Sequence, residues 1–482
     1  MKVEDKVLDL AKRRGFVWGP SPNIYEGGLK GFYDWGPLGK LLKNKVENIL
    51  RKGFSGFSFF EVECPTVMPK KVWEASGHLE GFVDYITKCT KCNSAYRVDH
   101  LLEDIEDFNQ EKLAELLRKS KIKCPSCNKG DFGAVEPVNL MMKTNIGIDQ
   151  EAFLRPETAT TTYLLFPELH RFFRTKMPFG VFQIGKAYRN EISPRQGVFR
   201  TREFTQAEAQ LFLLEEHFND FDKFEDYSEE ELPLMKHNSK KIEYVKLGNT
   251  VKNKFMKKES YAFMNFVAYK LIKEMGFDPK KIRIRQHNPS ELAFYADDAW
   301  DIEINTERHG WMELCGIHDR QDYDLKRHSE FSKTKMQVQG EYPTILEIAF
   351  GLERTAYALL ENSLVDDKNR DWLRFKKGIS PIDVAVFPLM KKDGIGDLAK
   401  EIFSDLDKDF VCTYDDSGSI GRRYRRMDEV GTSFCVTIDH DSIKDKDVTI
   451  REISSMKQKR IKISELKEFL DVLLSGNIEF EE

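Results

Sequence analysis

From Val181 to Phe212 the chain reads VFQIGKAYRNEISPRQGVFRTREFTQAEAQLF, two apolar runs joined by a charged turn containing Pro194 and Gly197. Read as a hairpin, period-two alternation sends Arg189 and Glu191 to one face, and Glu208 on the returning run can face them. By pattern alone, 204–212 is equally open to a helix. Arginine suits a phosphate because its fork donates two parallel hydrogen bonds. An aromatic such as Phe204 offers a flat surface for a purine. A surface ion-pair ladder uses the same residue types, so this segment alone does not decide a function.

At 482 residues the chain exceeds what one hydrophobic core holds, so two or three domains are expected. A formal charge of −5 excludes a polybasic nucleic-acid binder but leaves room for a local basic patch. With 40% hydrophobic residues and 35 Phe, it can bury sizeable cores. No apolar run approaches the roughly 18 residues needed to span a bilayer. The start, MKVEDKVLDLAKRR, has no apolar signal region, and the expectation is a soluble cytoplasmic protein without membrane partners.

Eight cysteines fit that compartment, and four form two tight pairs, Cys89-x2-Cys92 and Cys124-x2-Cys127. Such pairs, about thirty residues apart, read as four thiolates for one tetrahedral structural Zn2+. Four reduced thiols in an insertion that has lost its metal are the other reading. Pro125 and Gly130 suit a knuckle turn, and an acidic helix from Leu101 to Leu117 accompanies the pairs.

An amphipathic helix with Val3, Val7, Leu10 and Ala11 opens the chain. A Gly/Pro-rich stretch from Gly19 to Gly39, carrying Tyr25, Phe32, Tyr33 and Trp35, follows it. Leu41 to Arg51 reads as a helix and Phe59 to Val62 as a strand running into Pro65. Residues 215–258 pass from an acidic block to a lysine-rich one; such blocks read as solvated surface, or as an insertion that touches nucleic acid. The run PTILEIAFGLERTAYALLEN (343–362) ends a β-rich segment at Gly351, and Arg354 opens a helix, where an arginine adds to the anion-favouring dipole. Near Ser380-Pro381 a further α/β unit begins with the buried run IDVAVFPLM.

The hairpin, the 343–362 segment and the strand ending at Pro65 resemble motifs 2, 3 and 1 of the class II aminoacyl-tRNA synthetases. YRVDHLLE (96–103), FLRPETA (153–159), YRNEISPRQGVFRTREFTQAE (188–208), WMELCGIHDRQDYDLKRH (311–328) and DDSGSIGRRYRRMDEVGTSFCVTID (415–439) are similar to glycyl-tRNA synthetases of the homodimeric type. The resemblance runs in order through nearly the whole chain. It implies an α+β catalytic domain over 1–378, an antiparallel sheet flanked by helices, with insertions at about 85–138 and about 215–282. An α/β anticodon-binding domain over 379–482 would follow.

The resemblance further implies attachment of glycine to tRNA(Gly) through a glycyl-adenylate, with ATP and Mg2+, by a homodimer. By family position Arg189 clamps the α-phosphate, Glu191 reads the adenine edge, Phe204 stacks on its ring, and Arg200 with Arg354 holds the outer phosphates. Asn190, Phe199, Thr201, Leu314 and Gly351 complete the ATP set, and Glu313 sits near the nucleotide and its magnesium. Glu157, Glu208 and Glu347 surround the glycine ammonium, where three carboxylates would repel one another without a bound cation. Arg97 assists at the substrate end. Arg422, Arg423, Tyr424, Arg425 and Arg426 are the anticodon candidates, because arginine planes and an aromatic stack on splayed bases.

The chain departs from the family where EPSFG or EPSAG becomes Glu347-Ile348-Ala349-Phe350-Gly351, and where RPETAQG continues with Thr160 and Thr161. The missing hydroxyl at Ala349 removes a hydrogen bond worth about 1 kcal/mol, and the threonines offer hydroxyls nearby. Two rival functions are a synthetase-like RNA-binding protein without catalysis, and a class II ligase for another amino acid. The first predicts loss of Arg189, Arg200 and Arg354, all present here.

Overall fold

The computed structural model describes residues 3–102, 109–192, 197–293, 295–367, 370–476 and 478–481. Its centre is a nine-stranded sheet. In spatial order the strands are Glu243–Lys246, Glu231–Met235, Ile282–Gln286, Asp298–Thr306, Gly310–Gln321, Thr344–Gly351, Glu203–Leu213, Phe179–Tyr188 and Phe59–Glu61. Pairing is antiparallel except at two places, Phe59–Glu61 against Phe179–Tyr188 and Glu231–Met235 against Ile282–Gln286.

Three helices cover one face: Pro37–Gly56, Glu259–Glu274 and Leu352–Ser363. Pro37–Gly56 begins on a proline, whose missing N–H falls where helices have no partner for it. It presents Leu42, Val46, Leu50 and Phe54 to the sheet at helical spacing. Glu259–Glu274 is buried from Ser260 through Tyr269 without interruption, as expected of a helix with no polar stripe.

The segment expected as an insertion at 215–282 is woven into this core. Leu232, Leu234 and Val245, from two strands of the main sheet, enter the central cluster together with Leu247. The first of these strands is buried from Leu232 through Met235, and the charges lie to either side of that run, with Lys240, Lys241, Glu243 and Lys246 exposed.

A second sheet of five strands, ordered Cys412–Tyr414, Val384–Pro388, Phe434–Ile438, Asp447–Glu452 and Gln458–Lys462, has its own core. It is tied to the larger body by ion pairs: Lys45 to Asp383 at 2.8 Å, Arg14 to Glu429 at 2.6 Å and Arg370 to Asp428 at 2.9 Å. Among the described residues no helix is long and apolar enough to cross a membrane.

Candidate active site

The hairpin forms. Phe179–Tyr188 and Glu203–Leu213 pair from Phe179 opposite Phe212 to Tyr188 opposite Glu203, which settles 204–212 as strand. Pro194, in the connecting turn, lies outside the described residues. Gly185 is required where Arg155 crosses beneath the hairpin, because a Cβ there would collide with its guanidinium. Arg155 is buried and donates to the backbone of Lys186 and Cys64, to Thr161 and to Gln183.

Strand alternation does not place Arg189 and Glu191, because both lie just past the end of the strand. The Arg189 N–H donates to the Arg202 carbonyl at 2.9 Å and its Nε to the Pro156 carbonyl at 3.1 Å. Its guanidinium sits between the rings of Phe82 and Phe204, at 5.4 and 5.3 Å from their centroids. Glu191, buried, accepts from Arg200 Nε at 2.7 Å.

Arg189, Glu191, Arg200 and Phe204 line a cleft of about 270 Å³ together with Phe199, Thr201, Glu313, Leu314, Gly351 and Arg354. Arg354, in the first turn of Leu352–Ser363, donates to the Glu313 carbonyl at 2.9 Å, and its fork reaches the Glu313 carboxylate at 3.3 Å. Asn190 is absent from the lining; its N–H donates to the Leu140 carbonyl at 2.8 Å.

The same cleft holds Glu157, Glu208 and Glu347. Ala349 stands in register between Glu208 and Gly316 on the flanking strands. Each carboxylate is held by a hydroxyl: Thr160 donates to Glu157 at 2.7 Å, Thr158 to Glu208 at 2.5 Å and Tyr163 to Glu347 at 2.5 Å. The family departure at Thr160 thus orients a glutamate, whereas Thr161 serves the Arg155 network.

The three carboxylates do not wait bare for a cation, because Arg320 is built in among them. It is buried, lies 3.4 Å from Glu347, 4.0 Å from Glu157 and 2.9 Å from Asp324, and stacks 4.0 Å over Tyr295. His78 stands 3.5 Å from Glu157 and His318 3.4 Å from Glu347. At Glu157 burial is outweighed by His78 and Arg320, and at Glu347 by Arg320 and His318, so both carboxyls lie below the ordinary range. Glu208 has the opposite balance: burial, with the charges of Glu347 and Glu157, pushes its carboxyl up to about 8.

Arg320, His78, Tyr163 and Phe82 had no place in the sequence reading. For Arg320 a signal existed, since period two along Gly310–Gln321 puts Leu314, Gly316, His318 and Arg320 on one face. Arg97 does not line the cleft. It sits in the strand Ala95–Arg97 of the cysteine-bearing module, 2.9 Å from both Asp84 and Asp99.

In that module the sulfurs of Cys89, Cys92, Cys124 and Cys127 all lie within 4.8 Å of one another. Cys89–Cys127 is 3.7 Å and Cys92–Cys124 3.5 Å. Gly130 is needed there, because a Cβ would strike the Cys89 sulfur. The acidic helix runs from Gln110 to Ser120 rather than from Leu101, and 103–108 lie outside the described residues.

The five anticodon candidates divide by helical period. Arg422 and Arg425 are exposed on Ile420–Val430, whereas Arg423 is buried and caps the Pro388 and Gly418 carbonyls. Arg426 pairs with Asp415 at 2.9 Å, and Tyr424 packs on Phe387 with its hydroxyl 2.5 Å from Thr437.

Residues 143–363 match the family model of the tRNA synthetase class II core domain (G, H, P, S and T), and 383–473 that of the anticodon binding domain. The glycine–tRNA ligase of Methanococcus maripaludis is 38% identical over 98% of this chain and 99% of its own length. That alignment runs over 573 positions, more than this chain has residues, so the relative carries segments absent here. The glycine–tRNA ligases of Thermococcus kodakarensis (38%, 97% of each chain) and Methanocaldococcus jannaschii (37%, 97% of this chain and 98% of that one) match equally fully. Among solved structures, one titled the RNA binding domain of threonyl-tRNA synthetase from Cryptosporidium parvum Iowa II superposes with a TM-score of 0.61 at 17% identity, covering 96% of this chain and 97% of that one. The fold is thus a class II synthetase core joined to an anticodon-binding domain, and with these full-length relatives the chain belongs to the glycine–tRNA ligases.

Proposed function

We propose that the cleft performs both steps of the family reaction, forming glycyl-adenylate from glycine and ATP and then passing glycine to tRNA. A glycine carboxylate oxygen attacks the α-phosphorus, the bond to the β-phosphate bridging oxygen breaks, and pyrophosphate leaves. A terminal ribose hydroxyl of the tRNA then attacks the glycyl carbonyl and AMP leaves. Arg189 meets the charge that builds on the α-phosphate, Arg200 and Arg354 hold the outer phosphates, and Glu191, Phe204, Phe199, Thr201, Leu314 and Gly351 seat the nucleoside. The observation that carries this reading is one cleft holding three phosphate-suited arginines beside the carboxylates of Glu157, Glu208 and Glu347.

Magnesium would accompany the triphosphate, and Glu313, which lines the cleft, is the carboxylate that would receive it. Zinc fits the four cysteines: a tetrahedral ion about 2.3 Å from each sulfur sets sulfurs about 3.8 Å apart, two of the pairs stand at 3.5 and 3.7 Å, and all lie within 4.8 Å. With four protein ligands its contribution is structural. Residues 1–378 would carry catalysis and 379–482 anticodon binding, through Arg422 and Arg425. A homodimer is supported by Phe60, in the sheet's edge strand, and Phe172, packed together yet exposed.

Purified protein is expected to catalyse glycine-dependent ATP–pyrophosphate exchange, with alanine and serine inactive. Exchange driven by alanine or serine would favour a ligase for another amino acid, the direction in which Ala349 points. No exchange from folded protein would leave only the RNA-binding reading.

Glu208 gives this reading a pH signature. Below about 8 its carboxyl holds a proton that an incoming ammonium must displace. Glycine affinity should therefore rise with pH toward that value, by up to about tenfold per unit, and level off above it. Calorimetry at pH 7 in buffers of different ionisation enthalpy should show nearly one proton released per glycine, and none for Glu208→Gln. Uptake without proton release at pH 7 would refute the assignment.

A further inference from the structure

The module bearing the four cysteines does more than stand beside the cleft. Its strand Ala95–Arg97 alternates between two environments. Tyr96 turns to the sulfurs, its hydroxyl 3.3 Å from the Cys124 Sγ, and the Ser126 N–H donates to it at 3.0 Å. Arg97 turns the other way, its Nη1 2.9 and 3.0 Å from the two Asp84 carboxylate oxygens. Asp84 belongs to the neighbouring strand Val83–Lys88, which runs directly into Cys89. Its carboxylate is buried and reaches Arg200 at 3.8 Å. Arg200 Nη1 also lies 3.3 Å from His100 Nε2. Phe82, one residue before the same strand, covers the Arg189 guanidinium. The module therefore supplies contacts to both arginines on its side of the cleft.

We propose that Asp84, braced by Arg97 and the four-cysteine cluster, is a positioning residue that holds Arg200 for the nucleotide phosphates. The inference rests on the reading of Arg200 as an ATP residue. Among the described residues Arg200 has one other acidic partner, Glu191, whose carboxylate is itself assigned to adenine. Asp84 offers a second anchor, so Arg200 can leave Glu191 to the base without losing its counter-charge. It also separates two guanidiniums that would otherwise repel. Arg97 acts in this chain as the brace of that anchor.

The test is pyrophosphate exchange with the full-length protein and three variants, Asp84→Asn, Arg200→Ala and the double. Asp84→Asn, which preserves shape, should raise the KM for ATP by about tenfold, with the KM for glycine and kcat changed less than about threefold. Asp84→Glu should recover part of the loss. In the Arg200→Ala background the further effect of Asp84→Asn should vanish. An equal effect in both backgrounds, or a normal ATP KM for Asp84→Asn when Arg200→Ala raises it, would overturn the proposal and leave the nucleotide reading intact. An unchanged ATP KM in Arg200→Ala would overturn both. A further variant, Cys127→Ser, assayed for bound zinc by elemental analysis, should shift ATP KM in the same sense. Zinc lost with ATP KM unchanged would remove the cluster from the brace. A thermal melt of each variant checks that it is folded.

Discussion

Arg189→Ala is expected to lower kcat of glycine-dependent pyrophosphate exchange by about 10²- to 10³-fold, the cost of removing one donor aimed at transition-state charge. The reason is preorganisation. Arg189 leaves the end of the Phe179–Tyr188 strand with its backbone fixed by Arg202 and its Nε by the Pro156 carbonyl. Two aromatic rings bracket the guanidinium, which limits its rotation and keeps its outer donors toward the cleft. No such arrangement would be needed to bind ATP loosely, so the loss should fall mainly on kcat rather than on the KM for ATP. Arg189→Lys keeps the charge without the planar fork and should recover only a small part of the rate. A kcat for Arg189→Ala within threefold of the parent would remove this residue from the α-phosphate.

The 343–362 unit was legible as a β-rich run ending at Gly351 and a helix carrying Arg354. The 204–212 run fits strand or helix by pattern, because it is buried from Thr205 onward, and only its pairing with Phe179–Tyr188 places Glu208. Patterns fail at chain reversals, which is why Arg189 and Glu191, just past a strand end, take positions set by hydrogen bonds rather than by alternation. They fail again where one charged residue carries an interaction with no local partner. Arg320 meets Glu157, more than 160 positions earlier, and nothing near either residue announces the pair. In 231–247 the buried run from Leu232 to Met235 is short, and the charged residues on either side of it dominate the composition and hide the strands. Arg422 to Arg426 read as one basic patch until the helical period divides them into two solvent-facing arginines and two structural ones.

Lys43→Met should destabilise the folded protein by about 3–5 kcal/mol, the cost of leaving a buried charge without its partner. Lys43 lies on the inner stripe of Pro37–Gly56 with Leu42 and Val46, so the sequence did carry a sign of it: a lysine on an apolar face. It meets Glu353, both side chains 5% exposed or less. Burial pushes the Lys43 amine down while Glu353 counters it. Glu353 also accepts the Thr205 N–H at 2.7 Å and its hydroxyl at 3.1 Å. That ion pair therefore joins three elements at the back of the cleft: the Pro37–Gly56 helix, the strand that begins beside Phe204, and the helix whose next residue is Arg354. In Lys43→Met the Glu353 carboxylate keeps its Thr205 donors but loses its counter-charge. Adding Glu353→Gln should restore most of the stability, because the amide oxygen still accepts from Thr205 and no buried charge remains. The comparison is the urea midpoint of parent, single and double variants followed by circular dichroism, with ATP KM measured on each. A single variant as stable as the parent would mean that the pair contributes nothing net. A double variant no better than the single would place the loss in lysine packing against Trp35, 5.2 Å from its ammonium, rather than in charge.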